Sequence, residues 1–248
     1  MGRCESVSVA ERAAPYRAAV RYTLGAVLSR DDEELAQSWL TGALARFAAD
    51  NDDVVLQTRS VLARIVSDPA RHARMLNTLS MLEHIGSHKI MSTQHTAGID
   101  QPTLKHVAEE AQHAYFMKRQ AEKAAGRPME YVAADLLAAA AARMYFQRLE
   151  AAMIRTLSRQ RSARAVYLYM SMIVEFRALW FYGLYQQTLQ RARHALSLKR
   201  VLGEEQAHLG EIANRLDSAG ELSDARTAAF LSAEKRLYRR LLDALQRP

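Results

Sequence analysis

The chain has 248 residues, a formal net charge of +7 and one cysteine. A single cysteine excludes a disulfide framework, and it excludes zinc or iron sites built from several thiolates. Helix-forming residues dominate, with 5 prolines and 10 glycines, and no window alternates as a strand would. The length suits one domain, or one domain with a helical extension. The composition therefore predicts an all-α protein.

The same features limit location and partners. No apolar run approaches the ~20 residues that span a bilayer, and the first residues lack a hydrophobic signal core. A reducing cytoplasm is therefore the expected location. The positive charge permits an acidic partner such as nucleic acid, anionic lipid or a phosphorylated carrier. Because the basic residues are dispersed, they favour solvated helix faces over a nucleic-acid interface.

Helical periodicity recurs along the whole chain, interrupted by short turns. Ser67-Asp68-Pro69 has the pattern of a helix start, and Gly126-Arg127-Pro128 has the pattern of a helix end. A break is also expected at Arg161-Ser162. The predicted helices cover 7–29, 33–49, 54–67, 70–93, 102–125, 129–160, 163–192, 195–218 and 222–246.

Four of these helices form two closely joined pairs. A short turn makes 70–93 and 102–125 antiparallel, and the same holds for 163–192 and 195–218. The stretch between the pairs is long enough to run the length of a bundle and return the chain to its other end. Two hairpins with one long crossover make a four-helix bundle. We expect the bundle to cover 69–221, with an N-terminal helical extension (1–68) packed on it and a C-terminal helix (222–248).

Two Glu-x-x-His pairs lie on the predicted bundle helices. Glu110 and His113 form the first pair, and Glu205 and His208 form the second. Residues three apart share one helical face, so each pair presents a carboxylate and an imidazole together. The second pair falls on the same stripe as several leucine and valine side chains, which directs it inward. Such pairs fit the needs of a buried metal ion.

The other helix of each hairpin carries one glutamate in an apolar stretch. These are Glu83 and Glu175, and a carboxylate among apolar neighbours is costly unless a cation or strong donors compensate. Glu83 precedes Glu110 by 27 residues, and Glu175 precedes Glu205 by 30. One Glu-x-x-His pair alone is a weak signal. Two pairs, each matched with a lone glutamate at a similar distance, make a strong one.

With these six positions filled, the sequence over 70–218 resembles the ferritin-like di-iron carboxylate superfamily, which includes ferritins, rubrerythrins, aldehyde-deformylating oxygenases and small subunits of ribonucleotide reductase. The resemblance implies a ferritin-like four-helix bundle that holds two iron ions, or one manganese and one iron. It implies a non-haem oxidase or oxygenase that uses dioxygen to oxidise a small organic substrate. The resemblance leaves open whether an external electron donor takes part and whether the chain forms a homodimer. The implied metal ligands are Glu83, Glu110, His113, Glu175, Glu205 and His208.

Several neighbours of these ligands have expected roles. His106, one turn before Glu110, is expected to orient a ligand. Tyr115 and Trp180 are expected to lie beside the site, although aromatic residues at helical spacing are also ordinary core. Glu109 and Glu204, next to the paired glutamates, are expected to form salt bridges outside the site.

Alternatives to individual assignments stay open. Glu150 is an alternative to Glu175, although its surroundings are more polar. His84 and His88 stand four apart and could bind a metal by themselves. Gly86 occupies the position in its helix that corresponds to a ligand histidine in the paired helices, and Ala178 does so in the other hairpin. Small residues there would leave room for dioxygen or substrate, or would serve close helix packing.

Other functions compete with an oxygenase. A ferritin-like ferroxidase or iron-storage subunit is the main alternative, although storage subunits are typically shorter and the basic charge is a poor lining for an iron-filled cavity. An oxygenase whose substrate sits on RNA or on a carrier protein is a further alternative. The remaining interpretation is that these glutamates and histidines are ordinary surface and core residues.

Overall fold

A computed structural model of the chain describes residues 30–92, 98–157 and 163–247. Within these ranges the structure is all-helical, as the composition predicts, with no strand. The predicted helix over 7–29 and the predicted break at Arg161-Ser162 lie outside the described residues. The helices are α1 (Arg30–Asp50), α2 (Asp52–Val66), α3 (Pro69–Ser92), α4 (Gln101–Ala125), a short 3-10 helix (Ala133–Asp135), α5 (Ala139–Thr156), α6 (Ala163–Arg191), α7 (Lys199–Ser218) and α8 (Asp224–Gln246).

Local sequence signals explain where the helices of the first pair begin and end. Asp68 precedes α3, and its carboxylate accepts hydrogen bonds from the backbone N–H groups of Ala70 and Arg71 at 3.0 and 3.1 Å. Asp100 caps α4 in the same way, through the backbone N–H three residues later. Gly126 ends α4 with a φ of 66°, a left-handed conformation that glycine adopts without a steric penalty.

Helices α3 and α4 pack side by side in antiparallel orientation. Ser80 of α3 donates a hydrogen bond to the Ala114 carbonyl at 2.7 Å, and Ser87, two turns later, donates to the Val107 carbonyl at 3.3 Å. The residue numbers rise along α3 as they fall along α4, so the two helices run in opposite directions. The pair places Glu83 on a face that meets α4.

Helices α6 and α7 form a second antiparallel pair. The side chain of Gln186 accepts a hydrogen bond from the Leu198 backbone N–H at 2.6 Å. At the opposite end, Tyr169 donates to the Glu221 carbonyl at 2.7 Å. Helices α3, α4, α6 and α7 together surround one buried cluster of glutamate and histidine side chains.

The crossover differs from the predicted helix over 129–160. Residues 128–138 are irregular apart from the 3-10 turn, and α5 begins only at Ala139. Polar side chains of α3 bind this segment: Asn77 donates to the carbonyls of Glu130 and Asp135 at 2.8 and 3.0 Å. Thr78 accepts a hydrogen bond from the Leu137 N–H at 2.8 Å. Backbone groups that would bond within a helix are therefore satisfied by α3 instead.

The outer helices contact the central four and also one another. Asn51, between α1 and α2, accepts a hydrogen bond from Arg177 of α6 at 2.8 Å. Thr58 of α2 and Tyr238 of α8 share a hydrogen bond of 2.9 Å. Helix α5 packs mainly against α8. No helix in the described ranges is long and apolar enough to cross a membrane.

His72 in α3 gives this fold a predicted acid sensitivity. Its ring is buried, hydrogen-bonded to Tyr185 and 4.9 Å from the ring of His194. Burial, and then repulsion from His194, lowers the pKa of His72 to about 4 from an ordinary 6.5. The folded state therefore favours the neutral ring. The stability that depends on this neutral ring is complete above pH 6.5 and is lost as pH falls toward 4, because the unfolded chain takes up the proton first.

We expect the free energy of unfolding to fall more steeply between pH 7 and 5 in the wild type than in His72→Gln. Urea denaturation at several pH values measures both slopes. Equal slopes in the two proteins would show that folding does not shift the pKa of His72.

Candidate metal centre

Seven side chains from four helices converge in the interior. Six of them are the ligands expected from the sequence, and the seventh is His106. All are buried except Glu83, which is half-buried. They are Glu83 of α3, His106, Glu110 and His113 of α4, Glu175 of α6, and Glu205 and His208 of α7.

The cluster divides into two groups of four that share Glu110. In each group, every residue offers one donor atom, and these atoms lie within 4.8 Å of one another. One group has two histidines and two glutamates, and the other has one histidine and three glutamates. Both combinations could hold a metal ion. The groups are His106, Glu110, Glu175 and His208, and Glu83, Glu110, His113 and Glu205.

The first group is organised around Glu175. Nε2 of His106 lies 3.2 Å from Oε1 of Glu175, and Nδ1 of His208 lies 3.6 Å from the same oxygen. The two imidazole rings are 4.2 Å apart, centre to centre. Tyr167 hydrogen-bonds Nδ1 of His106 at 3.2 Å, which fixes the ring with its Nε2 toward the cluster. His106 therefore reaches the centre directly, whereas the sequence predicted only an orienting role.

The second group surrounds His113. Its Nδ1 lies 3.4 Å from Oε1 of Glu205 and 3.9 Å from Oε1 of Glu110. Glu83 enters this group from α3, and Tyr182 of α6 donates a hydrogen bond to its Oε1. Tyr182 is buried. An aromatic residue in an apolar helix is expected in the core, but the sequence does not show which carboxylate it contacts.

Both paired histidines are held from outside by a glutamate of the opposite helix. Nε2 of His208 hydrogen-bonds Glu109 of α4 at 2.8 Å, and Nε2 of His113 hydrogen-bonds Glu204 of α7 at 2.8 Å. These contacts leave each Nδ1 facing the cluster, which fixes ring orientation. Sequence reasoning assigned Glu109 and Glu204 to outer salt bridges. They form those too, Glu109 with Lys105 at 3.5 Å and Glu204 with Arg200 at 2.8 Å. The signal that could have identified the second role is the repeated Glu-Glu-x-x-His motif.

We expect Glu109→Gln and Glu204→Gln each to weaken metal binding by about 10- to 100-fold, because the imidazole loses the carboxylate that orients it. Titration of the metal-free protein with Mn(II) would measure the dissociation constants. Glu211→Gln is the control, since this α7 glutamate lies 3.8 Å from Arg215 and belongs to neither group of four. If either variant bound as tightly as the control, ring orientation would not depend on that carboxylate.

Charges in the cluster are balanced by protons on the histidines. Burial disfavours a charged imidazole, but hydrogen bonds and charge attraction to the surrounding glutamates outweigh this effect. They raise the pKa of His106 to about 9, of His113 to about 10 and of His208 to about 12. Burial, and then repulsion from neighbouring carboxylates, raises the pKa of Glu83 well above its usual range. A metal ion binding here would therefore displace protons from the imidazoles.

Two buried polar atoms in the cluster have no hydrogen-bond partner: Oε1 of Glu110 and Nδ1 of His113. Buried polar atoms are nearly always paired, so unpaired ones need an explanation. Both belong to residues of the two metal-compatible groups, and Oε1 of Glu110 lies 3.5 Å from both His106 and His208. The four carboxylates could also neutralise two divalent cations. The donor set therefore fits a pair of metal ions.

An apolar pocket opens beside Glu83. It encloses about 700 Å³ including its mouth, and Glu83, Tyr182 and Ala178 form part of its wall. Ala178 is one of the two small residues for which the sequence left open room for dioxygen or substrate, or close helix packing. The other walls come from α3, α5, α6 and α8.

A second cleft, of about 550 Å³ including its mouth, reaches the first group of four. Gly86 lies in its wall, and a Cβ atom on Gly86 would stand 3.5 Å from Oε2 of Glu110. A small side chain here would therefore be in van der Waals contact with a candidate ligand. Glu150 also lines this cleft, but its carboxylate is paired with Lys89 at 2.6 Å. Glu175, not Glu150, lies in the cluster.

The remaining expected neighbours lie elsewhere. Tyr115 is 56% exposed, and its ring faces Arg119, because its position in α4 points away from the bundle interior. Trp180 is buried, but it packs against Tyr238 of α8, on a different side of α6 from Glu175. Neither is positioned to orient a ligand. His84 and His88 are both exposed and belong to neither group of four.

The arrangement brings seven oxygen and nitrogen donors together in a mostly buried site with two adjoining cavities that open to solvent. A site of this kind could bind one or two metal ions and admit a small molecule next to them. No known family model, curated protein or solved structure matches the chain.

Proposed function

We propose that the chain binds two metal ions in this cluster and uses dioxygen to oxidise a small organic substrate. The observation that carries the proposal is the pair of metal-compatible groups sharing Glu110, with Oε1 of Glu110 and Nδ1 of His113 buried and without a hydrogen bond. A shared carboxylate between two groups of donors is what a bridged dinuclear centre requires.

The donor types support iron, or iron with manganese. Mixed imidazole and carboxylate ligation suits these metals, and none of the seven donor residues is a cysteine. The order of ligands along the chain, a lone glutamate and then a Glu-x-x-His pair in each half, also supports a ferritin-like arrangement. The third histidine, His106, adds a nitrogen donor to one group only. The two metal positions would therefore differ in charge and in affinity.

Two bound irons would supply the reducing electrons and the Lewis acidity that dioxygen activation needs. The protein's own residues provide the surroundings. Glu109 and Glu204 hold the ligand histidines in one orientation, and Tyr182 donates a hydrogen bond to Glu83. The four helices bury most of the cluster, and the pocket beside Glu83 offers an apolar place for a substrate. This pocket favours oxidation of an organic molecule over iron storage, which needs none.

Metal analysis of protein expressed with iron tests the proposal. We expect about two metal ions per chain, and an absorption change when oxygen is added to the reduced protein. Glu150→Gln is a matched control, since this glutamate lines a cleft next to the site but is paired with Lys89. Fewer than about one metal ion per chain in the wild type would contradict the proposal.

A further inference from the structure

The cleft that reaches the first group of four contains an ion pair in addition to residues of the metal cluster. Nζ of Lys89, on α3, donates a hydrogen bond to Oε2 of Glu150, on α5, at 2.6 Å. Both side chains line the cleft, and they keep 28% and 36% of their surface exposed. His106, Glu110 and Glu175 line the same cleft. A molecule that fills the cleft would therefore contact both the ion pair and the cluster.

The rest of the cleft wall is mostly apolar. Tyr167 already hydrogen-bonds His106, and Ser171 adds one hydroxyl group. Outside the metal cluster, the charged residues of this wall are therefore Lys89 and Glu150. The larger apolar side chains are Ile90, Phe146, Val166, Met170 and Val174.

Both members of the ion pair can form further hydrogen bonds. An ammonium group has three N–H donors, and Lys89 uses one of them on Glu150. Oε1 of Glu150 accepts no hydrogen bond from any residue that the structure describes and, unlike Oε1 of Glu110, it is not buried. A ligand in the cleft can therefore bind to both groups without breaking the pair.

The pair has no net charge, which limits the ligands that suit it. A ligand carboxylate that accepts from Lys89 would also lie close to the Glu150 anion. A ligand ammonium that donates to Glu150 would lie close to the Lys89 cation. Each repulsion opposes the corresponding attraction. A ligand with both groups on one carbon atom places the four charges in alternating order, so each charge lies beside two opposite ones.

We propose that this cleft binds an α-amino acid with an apolar side chain. The ligand carboxylate accepts from Lys89, the ligand ammonium donates to Glu150, and the side chain lies along the apolar residues of α6. That the amino acid takes part in oxidation at the metal cluster rests on the proposed function, but its binding does not.

Calorimetric titration of the full-length, metal-free protein with norleucine, in low-salt buffer at neutral pH, tests the proposal. Hexanoate has the same carbon skeleton without the ammonium group, and pentylamine lacks the carboxylate. We expect each analogue to bind at least about tenfold more weakly than norleucine, because each loses one charged hydrogen bond and keeps one repulsion. Comparable binding of either analogue, or no binding of norleucine, would overturn the proposal.

The two charged residues are distinguished by the preference that each creates. Lys89→Met should remove or reverse the preference for norleucine over pentylamine and keep the preference over hexanoate. Glu150→Gln should remove the preference over hexanoate and keep the preference over pentylamine. Residues that only maintain the shape of the cleft would affect all three ligands alike. If both variants kept the wild-type preferences, the ligand charges would be held elsewhere and the proposal would be wrong.

Control variants test the location. Arg226→Met removes an ion pair with Glu221 that has similar exposure and lies in the wall of neither cavity, so it should bind all three ligands as the wild type does. Ser171→Leu, which fills the cleft, should weaken norleucine binding by at least about tenfold. Ala178→Leu, seven residues away on α6 in the wall of the other pocket, should not. Unchanged binding in Ser171→Leu would place the ligand outside the cleft and contradict the assignment.

Because no metal is present in these titrations, the two proposals fail separately. Glu150→Gln should retain the metal content of the wild type, since Glu150 belongs to neither group of four. Iron binding without norleucine binding would remove the cleft assignment and leave the metal centre intact. Norleucine binding in a chain that takes up no iron would remove the proposed oxidation and leave the cleft as an amino-acid site.

Discussion

Replacing Glu110 with alanine is expected to abolish stable binding of both metal ions, whereas replacing Glu83 should remove or weaken only one. Glu110 belongs to both groups of donors, and Glu83 belongs to one. The wild type should hold about two ions per chain after dialysis, Glu83→Ala about one, and Glu110→Ala close to none. Elemental analysis of the three proteins, loaded together with Mn(II), measures these ratios.

The thermal stability of the same proteins provides a second readout. A metal present at about 1,000 times its dissociation constant stabilises a fold by about 4 kcal/mol, or about 10 °C in Tm for a chain of this length. We expect that gain in the wild type and its loss in Glu110→Ala. The metal-free variant should remain folded, because Glu110 repels Glu83 and raises its pKa. If Glu110→Ala retained two ions per chain, Glu110 would not be the shared ligand.

The sequence was sufficient to predict the helices that build the site, because their ends are encoded locally. Asp68, Asp100 and Gly126 are signals that act within one turn, and the observed boundaries of α3 and α4 lie within one residue of the predicted ones. The crossover was predicted less well. Residues 128–138 include good helix formers such as Met129, Glu130 and Ala133, but Asn77 and Thr78 of α3 bind the backbone of this segment. Propensity cannot reveal such long-range partners.

The candidate site was also predictable only where local helix geometry determines it. Helical spacing is enough to place Glu110 and His113 on one face, since that depends only on helix geometry. Whether His106 reaches Glu175 depends on the distance between α4 and α6, which the sequence does not contain. The hydrogen bond between Glu109 of α4 and His208 of α7 also depends on how these two helices pack. Identical motifs on two helices were visible in the sequence, but their reciprocal contact was not.

Arg177→Met is expected to lower the free energy of unfolding by about 3–5 kcal/mol, the largest effect we expect outside the metal site. The substitution leaves the fully buried Glu234 without its cation and removes the hydrogen bond to Asn51. It also removes a guanidinium that lies 3.9 Å from the centre of the Tyr238 ring. Urea denaturation of the metal-free protein, with the slope of the transition checked for two-state behaviour, measures the loss.

Two further variants separate the buried charge from other causes. Arg226→Met removes an ion pair with Glu221 on the partly exposed surface of α8 and should cost less than about 1 kcal/mol. Arg177→Met/Glu234→Gln should recover much of the stability that Arg177→Met loses, because no uncompensated charge then remains and the introduced amide oxygen can still accept from Tyr145. If the double variant were as unstable as the single one, the loss would come from packing around the guanidinium. Arg177 would then stabilise the junction of α6 and α8 mainly through its contacts with aromatic rings.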